Sequence, residues 1–190
     1  MPKVIGITGR AGSGKSLFGA LLASELVNIG QTVIMDALAL PVKQTVRELY
    51  GYYGGPKSPE ARGTMQKFGD ELAGDKELGL VALFLERNLA TKGNWIIVSD
   101  IRRHAEMQWF ADNGILFYVY GRTAKLDGST GMHHTENITK NLLEVNYCVV
   151  PNTRDLEWLQ EQARLYAEYL VQEPIQWARS LVDEIMEKRP

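Results

Sequence analysis

The sequence predicts an α/β domain in which five parallel strands form a sheet flanked by helices. Two observations predict it. Short apolar runs alternate with longer stretches of helical periodicity along the 190 residues, the pattern left by strands joined through crossover helices. A strand, a glycine-rich turn, a helix and a second strand follow one another within roughly the first 35 residues, a βαβ unit that implies parallel pairing and a right-handed crossover. The length suits a single domain over residues 1–190. A composition 45% hydrophobic and 23% charged excludes a disordered or collagen-like chain.

The elements follow in order. Val4 to Ile7 is a short apolar strand that stops at Gly9. Ser16 to Ile29 reads as a helix, because Leu17, Leu21, Leu22, Leu26 and Ile29 recur at helical spacing and Gly30 stands at a C-cap. Thr32 to Met35 is β-branched and apolar, a second buried strand. Leu38 to Tyr50 and Glu60 to Leu72 look helical on either side of the turn-rich stretch 51–59. Asp75 to Thr91 is a third helical stretch, with Leu78, Val81, Ala82, Leu85 and Leu89 on one stripe. Residues 36–92 are therefore an excursion longer than a crossover needs. Trp95 to Val98 is a buried strand leading into Ser99 and Asp100, Ala105 to Ala111 a helix, and Leu116 to Tyr120 a strand. Arg122 to Ile138 is polar and lacks periodicity, a second excursion (122–140) of lid-like character. Tyr147 to Val150 is the last strand, and helices at Leu156–Val171 and Ile175–Lys188 close the segment 153–190.

Charge and cysteine content narrow the partners. Lys plus Arg number 21 against 23 Asp plus Glu, so no basic coat for duplex nucleic acid is expected. Cys148 is alone, which leaves no intrachain disulfide and fits a reducing interior. No apolar run approaches the ~20 residues that span a bilayer, and the start of the chain does not read as a leader. The expectation is a soluble, cytoplasmic protein without membrane or nucleic-acid partners. The C-terminal helices cover the sheet, or Trp177 and its neighbours make a homodimer face.

Gly9-Arg10-Ala11-Gly12-Ser13-Gly14-Lys15-Ser16 fits G-x-x-x-x-G-K-[ST] in full between a strand and a helix. Gly9, Gly12 and Gly14 let the backbone fold around phosphate, with Ser13 and its neighbours turning their N–H groups inward. The helix N-terminus adds partial positive charge. Lys15 would reach the β- and γ-phosphates of ATP, and the Ser16 hydroxyl would take a Mg²⁺ position. GTP-switch signatures D-x-x-G and N-K-x-D are not found, and a chain of this size with two excursions suits a small kinase that shuts water out by closing a lid.

On the acceptor side, Asp36 ends the second strand at the sheet edge where α/β proteins bind ligands. It could read a sugar hydroxyl, act as a base for an alcohol, or cap the following helix. Asp100 sits in the setting of a Walker-B carboxylate, able to hold Mg²⁺ through water, orient phosphates, or cap a helix. Arg102 and Arg103 follow at the same edge and suit phosphate by bidentate geometry. Arg47, Arg62, Gln66 and Lys67 are spaced so that several could face the same cleft. His133 and His134 lack partners at metal-ligand spacing and read as polar lid contacts.

Several segments together resemble the phage-type deoxynucleoside monophosphate kinases. Arg62-Gly-Thr-Met-Gln66-Lys-Phe-Gly69-Asp-Glu71 is similar to their R-x-x-L-Q-x-x-G-T-E, and Pro41-Val42-Lys43 to their P-L-K. Asp100-Ile-Arg102-Arg103-His-Ala-Glu106 resembles D-V-R-x-x-N-E, and His133-His-Thr135-Glu136 resembles H-x-S-E. Asn152 matches an Asn in the loop that holds adenine in that family. The resemblance covers about residues 4–160. It implies sheet order 2-3-1-4-5 and transfer of the γ-phosphate of ATP, with Mg²⁺, to a deoxynucleoside 5′-monophosphate. It further implies that Lys43, Arg62, Gln66 and Glu71 serve the acceptor, and that Asp100 and Arg102 lie near the transferring phosphoryl. The chain departs from the family at Leu40, Arg103, Ala105 and Met132, where the pattern has Asp, an aromatic, Asn and an acidic residue.

An acceptor phosphate is already anionic near neutral pH, so alignment and charge neutralisation would carry catalysis. Arg102 is the candidate for the acceptor phosphate. Arg122, with Lys125 beside it, is the candidate for closing over the γ-phosphate. Two further readings remain: a kinase for a small alcohol such as a nucleoside or a dephospho-coenzyme A-like molecule, with Asp36 as base, and a nucleotide-binding regulatory or assembly factor without transfer.

Overall fold

Five runs rich in Val, Ile and aromatic residues extend into strands, as their β-propensity favours: β1 (Lys3–Thr8), β2 (Val33–Asp36), β3 (Trp95–Ile101), β4 (Ile115–Gly121) and β5 (Cys148–Asn152). All pair in parallel, in the order β2-β3-β1-β4-β5. The computed structural model describes residues 2–51, 59–73, 78–88, 90–121, 142 and 144–172, without the side chains of 50, 59–62 and 73. The lid-like stretch 122–140 and the helix expected at 175–188 lie outside the described residues.

Helices lie on both faces of the sheet. Helix α1 (Lys15–Asn28) and helix α6 (Leu156–Gln172) cover one face. Between these helices and the sheet, Phe18, Phe117 and Tyr166 meet edge to face, with centroids 5.5 Å apart for Phe18 and Phe117 and 4.8 Å for Phe117 and Tyr166. Helix α4 (Gly79–Asn88) and helix α5 (His104–Asn113) cover the other, around Phe84, Ile96, Val98, Met107 and Phe110. Parallel strands covered on both faces read as continuous apolar runs, and Val4 to Thr8 is buried throughout.

Three expectations are corrected here. In α1 the buried stripe is Phe18, Leu22 and Leu26 with Gly19, while Leu17 and Ile29 are exposed. Leu21 is half-buried beside it. The spacing was helical, but the face is fixed by the largest ring, Phe18, packing on Phe117. In α4 the sheet selects Leu80, Val81 and Phe84, and Leu78 precedes the helix, exposed. Strand β2 is not buried: it is an edge with one neighbour, β3, and Ile34 and Met35 are exposed.

Helix α4 is also the crossover into β3, which leaves α2 (Leu40–Tyr50) and α3 (Pro59–Ala73) as the excursion proper. Pro41 suits the first turn of α2, where no N–H partner is needed, and Gly51 closes it with φ 64°. Val42 and Val46 are buried, and α2 packs against α3, forming an arm beside the carboxyl end of the sheet. Among the described residues no helix is long and apolar enough to cross a membrane.

The core carries two protons that alkali would remove. Burial pushes the Cys148 thiol from 9.0 up to about 12. Burial also raises the Tyr166 hydroxyl, which donates to the Val149 carbonyl at 2.9 Å. Both groups stay protonated in the folded chain where the unfolded chain ionises, so stability is intact below pH 9 and declines as pH rises toward 12. The melting temperature should therefore fall progressively above about pH 9. In Cys148→Ala that decline should be shallower, and a slope identical to wild type would refute the assignment.

Candidate active site

The phosphate loop takes its shape from glycine. Gly9, Gly12 and Gly14 have φ of 151°, 76° and 94°, values that L side chains rarely adopt. Gly14 is the N-cap of α1, and the Phe18 N–H donates to its carbonyl at 2.9 Å. Inside the loop the Ser13 N–H donates to the Arg10 carbonyl at 3.1 Å, and Lys15 Nζ donates to the same carbonyl at 3.0 Å. The Ser13 hydroxyl is fully buried and has no hydrogen-bond partner among the described residues.

Strand lengths bring the opposite wall to this loop. Thr8, the last residue of β1, pairs with Ile101 and donates its hydroxyl to the Ile101 carbonyl at 2.8 Å. The register shift after Gly6 therefore ends β1 and β3 together, and Ser99 to Arg103 come to lie beside Lys15 and Ser16. A cavity of about 240 Å³ opens between them and the arm. Lys15, Ser16, Lys43, Gln66, Asp100, Arg102 and Arg103 all line it, so seven of the expected site residues meet in one place. Its apolar wall is Leu38, Val42, Met65 and Leu80.

Charges in the cavity are organised in pairs. Asp100 Oδ1 accepts the Leu38 N–H at 2.8 Å, and Oδ2 accepts the Ala39 N–H and Lys43 Nζ, each at 3.2 Å. Arg103 Nη2 pairs with Asp70 of α3. Glu106, almost fully buried, accepts the N–H groups of Arg102 and Arg103 at 3.0 Å each and so caps α5. Burial raises the Glu106 carboxyl above its ordinary value, opposed by those two N–H groups and the Arg103 charge. Gln66 Nε2 is buried with no partner among the described residues.

Three expected site residues stand elsewhere. Asp36 does not line the cavity. Its oxygens accept the Ala37 N–H at 2.7 Å, Asn88 Nδ2 at 2.7 Å and Arg87 Nη2 at 3.3 Å, which ties β2 to the end of α4. Glu71 is exposed on α3 beside Lys67, one residue and about 100° of helix away from Asp70, which does line the cavity. Asn152 is buried under the phosphate loop and donates Nδ2 to the Ser13 carbonyl at 2.8 Å, a support for the loop rather than a contact in an open base site. Arg122 and the Arg62 side chain lie outside the described residues, as do Lys125, His133 and His134.

The sequence reading gave no role to Asp70, Glu106 or the apolar wall, although the two acids fall within the motifs quoted above. Glu106 had a local signal, an acid at the third position of a helix capped by Arg103. Asp70 had the i, i+4 spacing from Gln66 on one helix face. Leu38 and Leu80 carried none beyond hydrophobicity.

For Mg²⁺ one donor fits: Ser16, the second residue of α1, lines the cavity and supplies a hard oxygen. Asp100, expected to share the ion, instead gives three of its about four lone-pair sites to Leu38, Ala39 and Lys43.

Sheet order, phosphate loop and helix placement together define a P-loop nucleotide-binding fold. No protein-family model and no curated protein matches the sequence. Among solved structures, an unliganded sugar kinase from a Janibacter species aligns with 13% identity and a TM-score of 0.45, covering 88% of this chain and 95% of its own. An APS kinase from Mycobacterium tuberculosis aligns with 16% identity and a TM-score of 0.43, covering 89% and 96%. At that distance neither bears on the reaction of this chain.

Proposed function

We propose that the chain moves the γ-phosphoryl group of ATP to a (deoxy)nucleoside 5′-monophosphate, giving ADP and a nucleoside diphosphate. The observation that carries the reading is one cavity in which Lys15 and Ser16 of the phosphate loop face Lys43, Arg102 and Arg103 of the acceptor side. Cations from both walls suit two anionic groups brought into line, which is the demand of phosphoryl transfer between phosphates.

In that mechanism the loop N–H groups and the α1 N-terminus hold the β-phosphate. Lys15 leaves the Arg10 carbonyl for the γ-phosphate. Arg102 holds the acceptor phosphate, one of whose oxygens attacks the γ-phosphorus as the bond to the β,γ-bridging oxygen breaks. An oxygen already ionised needs no general base. Ser16 would hold Mg²⁺, which would supply charge neutralisation for the phosphates. The apolar wall of Leu38, Val42, Met65 and Leu80 keeps the acceptor side dry.

The small-alcohol reading loses its base, because Asp36 is tied to α4 and stands outside the cavity. A nucleotide-binding factor without transfer is separated by one assay: ADP release measured across deoxynucleoside monophosphates, ribonucleoside monophosphates and nucleosides. Stimulation by a monophosphate supports the proposal, while stimulation by nucleosides alone, or ATP binding with no stimulation, overturns it. In Arg102→Ala the acceptor KM should rise at least tenfold with ATP affinity changed less than about threefold, since one charge-assisted phosphate contact is worth roughly 1.5–3 kcal/mol. Equal losses for both ligands would refute the role of Arg102.

A further inference from the structure

Asp100 was expected at the nucleotide; its bonds run to the arm instead. The carboxylate, with a side chain 14% exposed, gathers the N–H groups of Leu38 and Ala39 just ahead of α2 and the ammonium of Lys43 within its first turn. Those N–H groups precede the α2 N-terminus, where a negative charge is favourable and N–H groups lack helical partners. Through one side chain the end of β3 fixes both the direction in which α2 leaves the sheet and the position of Lys43. Lys43 remains 43% exposed and lines the cavity, and of its three donors one is given to Asp100 among the described residues. An ammonium held at one proton and open at the others is placed to receive a further anion.

We propose that Asp100 is the positioning residue of the acceptor arm, and that it presents Lys43 as a second cation, beside Arg102, for the phosphate of the acceptor. The proposal rests on the phosphoryl-transfer reading above and deepens it. The acceptor recognised this way is a molecule bearing a terminal phosphate dianion, because two cations converge there. Loss of the carboxylate then harms acceptor capture before it harms nucleotide binding.

The test compares Asp100→Asn and Lys43→Met in the full chain with wild type. Asn keeps one oxygen for a backbone N–H but has no charge for Lys43 and no second acceptor. Three quantities are read: acceptor KM, ATP affinity at fixed Mg²⁺, and hydrogen exchange of the Leu38 and Ala39 amides. In Asp100→Asn the acceptor KM should rise about tenfold or more, with ATP affinity within about threefold and the two amides exchanging at least tenfold faster. Lys43→Met should raise acceptor KM by a similar factor while the Leu38 and Ala39 amides exchange as in wild type. The double variant should cost little more than either single one. A weakened ATP affinity with unchanged acceptor KM and unchanged exchange in Asp100→Asn would overturn the proposal, since it would place Asp100 at the nucleotide. Unchanged acceptor KM in Lys43→Met would overturn the role of Lys43. If no monophosphate stimulates ADP release by wild type, the kinase reading falls by itself. The exchange of Leu38 and Ala39 in Asp100→Asn then still decides whether the carboxylate holds the arm.

Discussion

Lys15→Ala should lower turnover about 10³-fold while melting within a few degrees of wild type. The size follows from the role. A preorganised cation that meets charge developing in the transition state contributes about 10²–10³ in rate, and more where water is excluded. The small change in stability follows from the structure: Lys15 is half-buried, and its bond to the Arg10 carbonyl joins two residues of one loop. A single such bond is worth about 1 kcal/mol net. Steady-state kinetics with saturating ATP and monophosphate, beside thermal unfolding of the same preparation, check both halves. Turnover within tenfold of wild type would remove Lys15 from the γ-phosphate, and the proposed mechanism with it.

Gly14→Ala is expected to abolish nucleotide binding at millimolar ATP and to cost roughly 2–4 kcal/mol of stability, from two sources. At φ 94° a Cβ is strained in any surroundings. Here it would also collide with the amide nitrogen of Asn152, the group that supports the Ser13 carbonyl. The loop must then shift, and the N–H groups that cradle phosphate shift with it. Asn152→Gly combined with Gly14→Ala relieves the collision and leaves the backbone strain. The pair also loses the Asn152 bond to the Ser13 carbonyl, so it should recover neither stability nor ATP affinity. Calorimetric titration with ATP and chemical unfolding measure the two quantities. A Gly14→Ala protein that binds ATP like wild type would show that the loop does not need this conformation.

What could be read from the sequence divides by range. The phosphate loop was legible because its chemistry is local: Gly14, Lys15 and Ser16 are adjacent, and the βαβ context needs only about 35 residues. The strands were legible because Ile96 to Val98 and Leu116 to Val119 are apolar runs between turns, and the order of the sheet followed from the family the motifs resemble. Helix faces were less so. In α1 both Leu21 and Leu22 fit a helical stripe, and only the position of Phe117 on the sheet decides in favour of Phe18, Leu22 and Leu26. Side-chain commitments were least legible. Asp36 and Asp100 looked alike, each an acid at the end of an apolar strand. One is spent on α4 and the other on α2, through partners some 50 to 60 residues away in sequence. Glu71 and Asp70 differ by one position on α3, and a helix turns through about 100° per residue, enough to move one carboxylate from cavity to solvent.

The bond from Asn152 to the Ser13 carbonyl joins residues 139 positions apart. During synthesis the glycine loop leaves the ribosome early, whereas its prop is made only when the fifth strand has been translated. A nascent chain that stops short of that strand holds the whole glycine-rich motif without this prop. The loop therefore gains this support late, as the sheet closes.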